Sequence, residues 1–196
     1  MIIAIDGTTA SGKGTLAKRL AKHFGLPHLD TGLLYRAVGL QAAAERAALE
    51  DAQACARLAA AIRLDDFSER QLRSAEAGAH ASKVAALGPV RAALLKLQQD
   101  FARQPGGAVL DGRDIATVIA PEAEVKFWID ASIPERARRR VRELGLAGTA
   151  PPLDDMILQI EERDARDRSR ADAPMAIAPG AVEIDTTRLS PDEVFE

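Results

Sequence analysis

The sequence contains few of the residues that build disulfides, zinc sites or membrane spans. Cys55 is the only cysteine among 196 residues, which excludes an intrachain disulfide and a cysteine-based zinc site. The three histidines, which do not have the spacing of metal ligands, are His23, His28 and His80. No apolar run approaches the length of a membrane span, and Asp6 comes too early for a secretory signal. We therefore expect a reduced, cytoplasmic protein without a membrane segment.

Charge and size narrow the function classes further. The chain has 26 lysines and arginines against 29 aspartates and glutamates, a formal net charge of −3. Proteins that bind DNA or RNA in bulk are normally basic, because neutralising phosphates drives their affinity. The five phenylalanines form no pattern typical of a base-stacking platform. The composition favours one soluble domain, residues 1–196, whose partners are small molecules rather than nucleic acid polymers.

Hydrophobic patterning predicts an α/β fold. Short apolar runs indicate four core strands, at residues 2–5, 108–111, 125–129 and 181–185. Apolar stripes and alanine-rich stretches indicate helices at 12–24, at 82–103, at 134–144, from about 155 onward, and twice within 31–62. A strand that runs directly into a glycine loop and a helix is typical of the start of an α/β fold with a parallel sheet.

The segments between the predicted strands and helices also contain informative patterns. Residues 63–81 are polar with little periodicity, which predicts a small excursion from the sheet. Asp154 is expected to cap the helix that follows it, and Ser190 with Glu193 has the form of a capping box. No repeat or linker divides the chain, so the sequence favours a single domain.

A glycine-rich motif joins the first strand to the first helix. Its nine residues are Gly7, Thr8, Thr9, Ala10, Ser11, Gly12, Lys13, Gly14 and Thr15. In this spacing the backbone N–H groups can wrap a phosphate, and Lys13 can reach the β- and γ-phosphates of a nucleotide. A glycine turn without a ligand is the alternative, but the position between strand and helix favours nucleotide binding. Gly14 replaces the usual serine or threonine, so Thr15 is the candidate hydroxyl next to Mg²⁺.

Two polar motifs lie further along the chain. In the first, Thr31 can cap the following helix and Arg36 lies about one turn further in; a capped helix with a solvated arginine is the alternative. In the second, Asp111 and Arg113 come at the end of the strand at 108–111, the sheet edge where α/β proteins bind ligands. Asp111 could orient a metal-bound water and Arg113 could bind a phosphate, unless the segment is only a polar turn held by ion pairs.

Two arginine-rich segments are the last candidates. Arg163, Asp167 and Arg170 have the spacing of one helix face, although a solvated face is the common alternative. The helix at 134–144 carries further arginines beside a loop rich in glycine and proline, namely Arg138, Arg139, Arg140 and Arg142. These side chains could cover bound ATP, or they could form an ordinary basic surface.

Five segments taken together resemble the bacterial cytidylate kinases. In order along the chain they are GTTASGKGT, DTGLLYR, SKVAALGPVR, LDGRD and ERDARDRSRADAP, and the resemblance covers nearly the whole sequence. It implies a three-layer P-loop kinase fold with a central parallel sheet, an NMP-binding insertion and a short lid, the latter at about 145–153. It also implies transfer of the γ-phosphoryl group of ATP, with Mg²⁺, to CMP or dCMP.

The resemblance also implies residue roles. Thr31, where the family usually has serine, would lie near the ribose, while Tyr35 and Arg36 would line the acceptor, with Arg36 on its phosphate. The cytosine-reading positions correspond to Ser82, Arg91 and Asp114. Phosphates would be bound by Arg113, Arg163 and Arg170, and sugar hydroxyls by Asp167. The catalytic residues would be Lys13, Arg113 and Arg163, and the metal side would be formed by Thr15 and Asp111.

The sequence departs from the family in two places. The stretch 63–81 is much shorter than the strand-containing insertion usual in bacterial members, although Arg73 and Ser74 still lie where that insertion rejoins the core. The last helix looks short, since it begins near Ser190. These departures leave open the preference between CMP and dCMP and the extent of closure around the substrates.

Other functions stay open on the residues alone. The nearest is a P-loop kinase with another small acceptor, such as UMP, AMP, shikimate or dephospho-coenzyme A. A hydroxyl acceptor would favour a positioned base near Asp114, whereas a phosphate acceptor needs none, because its second pKa is about 6. A nucleotide-dependent switch and an RNA-binding protein are weaker alternatives, the latter because of the net charge of −3. We expect a monomer that binds ATP, CMP and dCMP.

Overall fold

A parallel sheet forms the centre of the protein. The computed structural model describes residues 1–146 and 148–196, so Ala147 of the expected lid lies outside the described residues. In that part of the chain the sheet has five strands, β1 Ile2–Gly7, β2 His28–Asp30, β3 Ala108–Gly112, β4 Val125–Asp130 and β5 Val182–Asp185. Their order is β2-β3-β1-β4-β5, and every neighbouring pair is parallel. β1 is therefore central, and all of its residues are buried.

Helices cover both faces of this sheet. They are α1 Lys13–Phe24, α2 Thr31–Ala44, α3 Ala52–Ala61, α4 Glu69–Leu72, α5 Ala75–Val84, α6 Gly88–Ala102, α7 Ile133–Gly145, α8 Leu153–Ser169 and α9 Pro191–Phe195. Alternate residues of a strand point to opposite faces. Ile2 and Ala4 accordingly pack with α2, α3 and α6, whereas Ile3 and Ile5 pack against α1. The three-layer α/β architecture expected from the sequence is confirmed.

The predicted strands are all present, but one strand was missed. β2 has only three residues, too few to show an alternating pattern.

The single helix expected at 82–103 is wrong, because α5 ends at Val84 and α6 begins at Gly88. Pro89, in the first turn of α6, has no N–H to continue a helix from the preceding residues. Much of the polar stretch 63–81 is helical, in α4, α5 and a 3₁₀ turn.

Two helix caps differ from expectation. Asp30 rather than Thr31 caps α2, since its side chain accepts a hydrogen bond from the N–H of Gly32 at 3.0 Å. The Thr31 hydroxyl instead donates to the carbonyl oxygen of Asp111 at 2.9 Å, which ties α2 to the end of β3. Asp154 does not cap α8, because the helix already begins at Leu153 and places Asp154 in its first turn.

The C-terminal third of the chain adds a helical pair and the last strand. α7 and α8 pack through Ala137, Leu144, Met156 and Ile160. The capping box of Ser190 and Glu193 is present and opens α9. Among the helices at residues 1–146 and 148–196, none combines the length and apolar character needed to cross a bilayer.

Candidate active site

A cavity of about 310 Å³ lies at the carboxyl ends of β1, β2 and β3, the usual ligand position in open α/β sheets. It gathers motif residues that are far apart in sequence: Thr9, Ala10, Gly12, Lys13, Gly14, Thr15, Thr31, Tyr35, Arg36, Ser82, Arg91, Asp111, Arg113, Asp114, Arg163, Asp167 and Arg170. Gly7, Thr8 and Ser11 of the glycine motif are buried and do not line it. Residues from all five segments that resemble the cytidylate kinases therefore meet in one place.

The glycine motif forms a tight loop between β1 and α1. A Cβ atom on Gly7 would lie 2.0 Å from the carbonyl oxygen of Ile129, so only glycine fits there. Gly12 precedes α1 with a φ of 96°, a left-handed conformation that favours glycine. α1 has no side-chain cap and no acidic residue in its first turn. The N–H groups of Thr15 and Leu16 donate to the carbonyl oxygen of Gly12, and the N–H groups of the residues before them, with the positive end of the helix dipole, can bind an anion.

Cations crowd the inner wall of this cavity. Burial, followed by the charge of Arg113, lowers the pKa of Lys13 to about 7. Burial, again followed by Arg113, lowers the pKa of Arg163 to about 9, and burial followed by Arg140 lowers that of Arg36 to about 10. Such positively charged groups hold their protons poorly when no anion is near. The wall is therefore suited to a ligand with several negative charges.

Arg113 connects the two sides of the cavity. Its Nε donates to Oδ2 of Asp167 on α8 at 3.1 Å, and its Nη2 donates to the hydroxyl of Thr9 at 2.7 Å. Burial alone would raise the pKa of Asp167, but Arg113, Arg163 and Arg170 hold that pKa below its usual value. Asp167 thus stays ionised among these cations, and its charge orients them.

A second polar cluster lies away from the glycine motif. Arg91 on α6 donates to Oδ2 of Asp114 within a buried ion pair, and its guanidinium lies 5.8 Å from the ring centre of Tyr35. Burial raises the pKa of Asp114, although Arg91 opposes that shift. The buried hydroxyl of Ser82 has no hydrogen-bond partner among the described residues. This end of the cavity can therefore offer a carboxylate and a hydroxyl to a small polar ring.

The acidic residue expected on the metal side has a defined orientation. Oδ1 of Asp111 lies 2.7 Å from Nε2 of His28. Oδ2 faces the glycine motif, 3.6 Å from where a Cβ atom on Gly14 would lie, and Thr15 also lines the cavity. The described residues contain no cluster of three or more His, Cys, Asp or Glu that could hold a metal alone. A hydroxyl and a carboxylate nevertheless fit Mg²⁺, which is usually held by few protein groups together with substrate phosphates.

The four arginines of α7 that could have formed a cover have different positions. Arg140 lines the cavity and pairs with Glu143. Arg139 donates to the carbonyl oxygens of Ser11 and Thr186 and supports the glycine motif from outside the cavity. Arg138 and Arg142 are exposed. Of the four, only Arg140 is therefore placed to contact a ligand.

Sequence reasoning missed several residues of the site. Asp30, Arg73 and Glu143 line the cavity, and burial together with Asp111 raises the pKa of Asp30. Asp30 could have been found, because it begins the DTG motif and follows a short apolar segment. Arg136 on α7 is buried and donates to the carbonyl oxygen of Thr9 at 3.2 Å. Nothing in its local sequence distinguishes it from the other arginines of α7.

Comparison with known proteins gives a consistent result. The cytidylate kinase family model matches residues 3–196. The chain is 51% identical over 196 residues to a cytidylate kinase of Methylocella silvestris, covering 100% of this chain and 91% of that protein. It is 52% identical over 195 residues to a cytidylate kinase of Xanthobacter autotrophicus, covering 100% of this chain and 93% of that protein.

A solved structure supports the fold alone. An uncharacterized protein from Eubacterium ventriosum superposes with a TM-score of 0.55 at 14% sequence identity, covering 100% of this chain and 93% of that chain. With the cavity, the glycine motif and the family match together, the chain belongs to the cytidylate kinase family and is a kinase with the P-loop fold.

Proposed function

We propose that this protein transfers the γ-phosphoryl group of ATP to CMP or dCMP and releases ADP with CDP or dCDP. The observation that carries the proposal is the division of one cavity into a cation-rich wall and the cluster of Ser82, Arg91 and Asp114. The first suits two sets of phosphates, and the second suits a pyrimidine ring. The full-length similarity to proteins named cytidylate kinase agrees with this division.

Base selection would depend on Asp114. Arg91 donates to its Oδ2, and Oδ1 has no hydrogen-bond donor among the described residues. A carboxylate oxygen accepts a hydrogen bond from the exocyclic amino group of cytosine, whereas uracil has a carbonyl acceptor in that position. CMP should therefore bind better than UMP, with the Ser82 hydroxyl as a further partner and Thr31 beside the sugar.

Phosphoryl transfer needs positioning and charge rather than a base. The acceptor phosphate is largely ionised at neutral pH, since its second pKa is about 6. Lys13, Arg113 and Arg163 would hold the phosphates in line and stabilise the charge of the transition state. Arg36 and Arg170 would bind the acceptor phosphate, and Asp167 the sugar hydroxyls. Bound Mg²⁺, next to Thr15 and Asp111, would neutralise further charge on the ATP phosphates.

The proposal also gives roles to the remaining segments of the chain. Residues 1–196 would act as one domain and as a monomer in the cytoplasm, with 63–81 as a reduced NMP-binding segment and about 145–153 as the lid. Arg140, next to that lid on α7, lines the cavity and would complete the cation wall when the lid covers ATP. Closure of this kind excludes water and limits ATP hydrolysis.

The direct test is ADP release from Mg·ATP with CMP, dCMP, UMP, AMP or no acceptor. We expect strong stimulation by CMP and dCMP, weaker stimulation by UMP and little by AMP. A Lys13→Ala variant with an unchanged circular dichroism spectrum should show almost no turnover, while Lys22→Ala, at an exposed position of α1, should behave as the unmodified protein. Preference for AMP or a non-nucleotide acceptor would contradict the base assignment.

A further inference from the structure

Asp6 reaches from β1 into the turn that follows β3. Its Oδ1 accepts a hydrogen bond from the N–H of Ile115 at 2.8 Å, and its Oδ2 accepts one from the N–H of Ala116 at 2.8 Å. The two N–H groups open the π-helical turn Ile115–Ile119. Asp6 is 2% exposed and is the only charged residue of β1. Both carboxylate oxygens are thus used to bind one short segment more than 100 residues away in the sequence.

Because Asp6 binds these N–H groups, the side chain of Asp114 does not have to cap the turn. The first N–H groups of a helical turn lack internal partners, and an aspartate at the N-cap commonly binds them with its own side chain. Asp114 is the N-cap of the turn, yet its side chain makes no capping hydrogen bond and pairs with Arg91 instead. Asp6 supplies the cap from the neighbouring strand, which leaves the Asp114 carboxylate directed to the cavity.

The turn is also held by apolar contacts that do not involve Asp6. Ile115 and Ile119 are almost fully buried in the core between the sheet and the helices α2, α3 and α6. Loss of the carboxylate should therefore leave the segment attached to the protein, while the direction of its first residues becomes less well defined. Burial raises the pKa of Asp6 to about 7, while the hydrogen bonds from the N–H groups of Ala116 and Ile115 oppose that shift and favour the ionised carboxylate.

We propose that Asp6 is a positioning residue for base selection, which fixes the π-helical turn so that Asp114 presents its carboxylate to the acceptor base. The proposal rests on the function proposed above. Asp6 does not line the cavity and would act only through the turn and Asp114. It therefore concerns the choice between CMP and UMP rather than the binding of ATP.

The test compares Asp6→Asn with a matched change elsewhere. Asparagine has nearly the same shape, but its NH₂ group would face one of the two backbone N–H groups instead of accepting from it. Asp185→Asn is the control, since the Asp185 carboxylate also accepts from a backbone N–H, that of Thr187 at 2.8 Å, outside the cavity. Both variants are assayed with CMP and UMP, and CMP binding is measured by calorimetry without ATP.

We expect Asp6→Asn to lower the ratio of kcat/KM for CMP to that for UMP by about tenfold, the effect of losing one good base contact. The KM for CMP should rise while the KM for ATP stays within about twofold, and Asp185→Asn should change neither. A merely structural role would lower the active fraction for both acceptors equally. Equal losses, or an unchanged ratio in Asp6→Asn, would overturn the proposal.

A second variant covers the case in which Asp6→Asn does not fold. Asp6→Thr has a side chain suited to a strand, and its hydroxyl can accept from one of the two N–H groups. The same decrease in the CMP to UMP ratio is expected, and an unchanged ratio contradicts the proposal. If the unmodified protein itself shows no preference for CMP, the proposed function fails, and this inference fails with it. A preference that survives both changes refutes only the role of Asp6.

Discussion

His28, the first residue of β2, and Asp111, near the carboxyl end of the neighbouring strand β3, form a close pair. Nε2 of His28 lies 2.7 Å from Oδ1 of Asp111, and the two side chains are 16% and 3% exposed. The contact occupies one carboxylate oxygen and leaves Oδ2 on the side of the glycine motif. An outer group that holds a carboxylate in this way fixes which oxygen is available for a metal-bound water.

Replacing His28 by leucine should therefore weaken the use of Mg²⁺. Asp111 would lose the partner of Oδ1 and could turn away from the glycine motif. We expect the Mg²⁺ concentration for half-maximal activity to rise about tenfold, as is typical when the partner of a metal-side carboxylate is removed. Glutamine at position 28 can donate over a similar reach and serves as the control. An equal response of both variants would exclude the hydrogen bond as the cause.

Removal of Asp114 should affect the acceptor more than ATP. In Asp114→Ala the ratio of kcat/KM for CMP to that for UMP should fall by about tenfold or more, because the partner of the cytosine amino group is lost. Arg91 would also be left buried without its counter-charge, which should lower the free energy of unfolding by about 3 kcal/mol. Steady-state kinetics with both acceptors and urea unfolding measure the two effects. An unchanged CMP to UMP ratio would contradict the assignment of Asp114.

The low pKa of Lys13 predicts proton uptake on ATP binding. At pH 8 a Lys13 with a pKa of about 7 is mostly neutral, and the arriving phosphates should restore its proton. ATP affinity should then fall as pH rises above 7, with close to one proton taken up per ATP at pH 8. Between pH 7 and 10.5 the unfolded chain binds more protons at this residue, so the contribution of Lys13 to the free energy of unfolding rises with pH.

Calorimetry in buffers of different ionisation heats measures this uptake. Lys13→Arg keeps a positive charge that does not titrate in this range and should take up almost no proton. Lys22→Ala removes an exposed lysine of the same helix and should leave the uptake unchanged. Equal proton uptake by Lys13→Arg and the unmodified protein would place the titrating group elsewhere.

The glycine motif provides a prediction for stability. A Cβ atom at Gly7 would meet the carbonyl oxygen of Ile129 at 2.0 Å, whereas nothing lies within 4 Å of such an atom at Gly25. Gly7→Ala should lower the free energy of unfolding by about 3 kcal/mol, because β1 and β4 must separate locally. Gly25→Ala should cost about 1 kcal/mol, the ordinary penalty for a left-handed alanine. Similar losses in urea unfolding would contradict the close approach.

Local patterns predicted most of the fold, and the motifs together with the resemblance to cytidylate kinases named most of the residues that line the cavity. Neither predicted the contacts between those residues. The apolar runs gave four strands their positions, whereas β2 is too short to be recognised. Asp6 and Arg136 could not be found in this way, because their partners lie far away in the chain: Asp6 binds Ile115, and Arg136 binds Thr9. Only the order of the strands and the packing of α7 bring these groups together.

Arg136 on α7 and Asp164 on α8 form a buried ion pair. Nη2 of Arg136 lies 2.8 Å from Oδ2 of Asp164, and both side chains are 3% exposed. The Asp164 oxygens have no aligned hydrogen bond in the described part of the chain, so this carboxylate depends on the charge of Arg136. Arg136→Met should therefore lower the free energy of unfolding by about 3 to 5 kcal/mol, since it leaves a buried charge alone.

The double variant Arg136→Met/Asp164→Leu separates stability from function at this pair. Replacing both charges by apolar groups of similar size should recover most of the lost stability, since the desolvation of two ions no longer has to be offset. The kcat should be lower than that of the unmodified protein in both Arg136→Met and the double variant, because the carbonyl oxygen of Thr9 lacks in both the Nη1 donor that lies 3.2 Å away in the unmodified protein. Urea unfolding and kcat are measured on the same samples. Recovery of both quantities together would mean that Arg136 supports only the packing of α7 on α8, and that the glycine motif holds its shape without it.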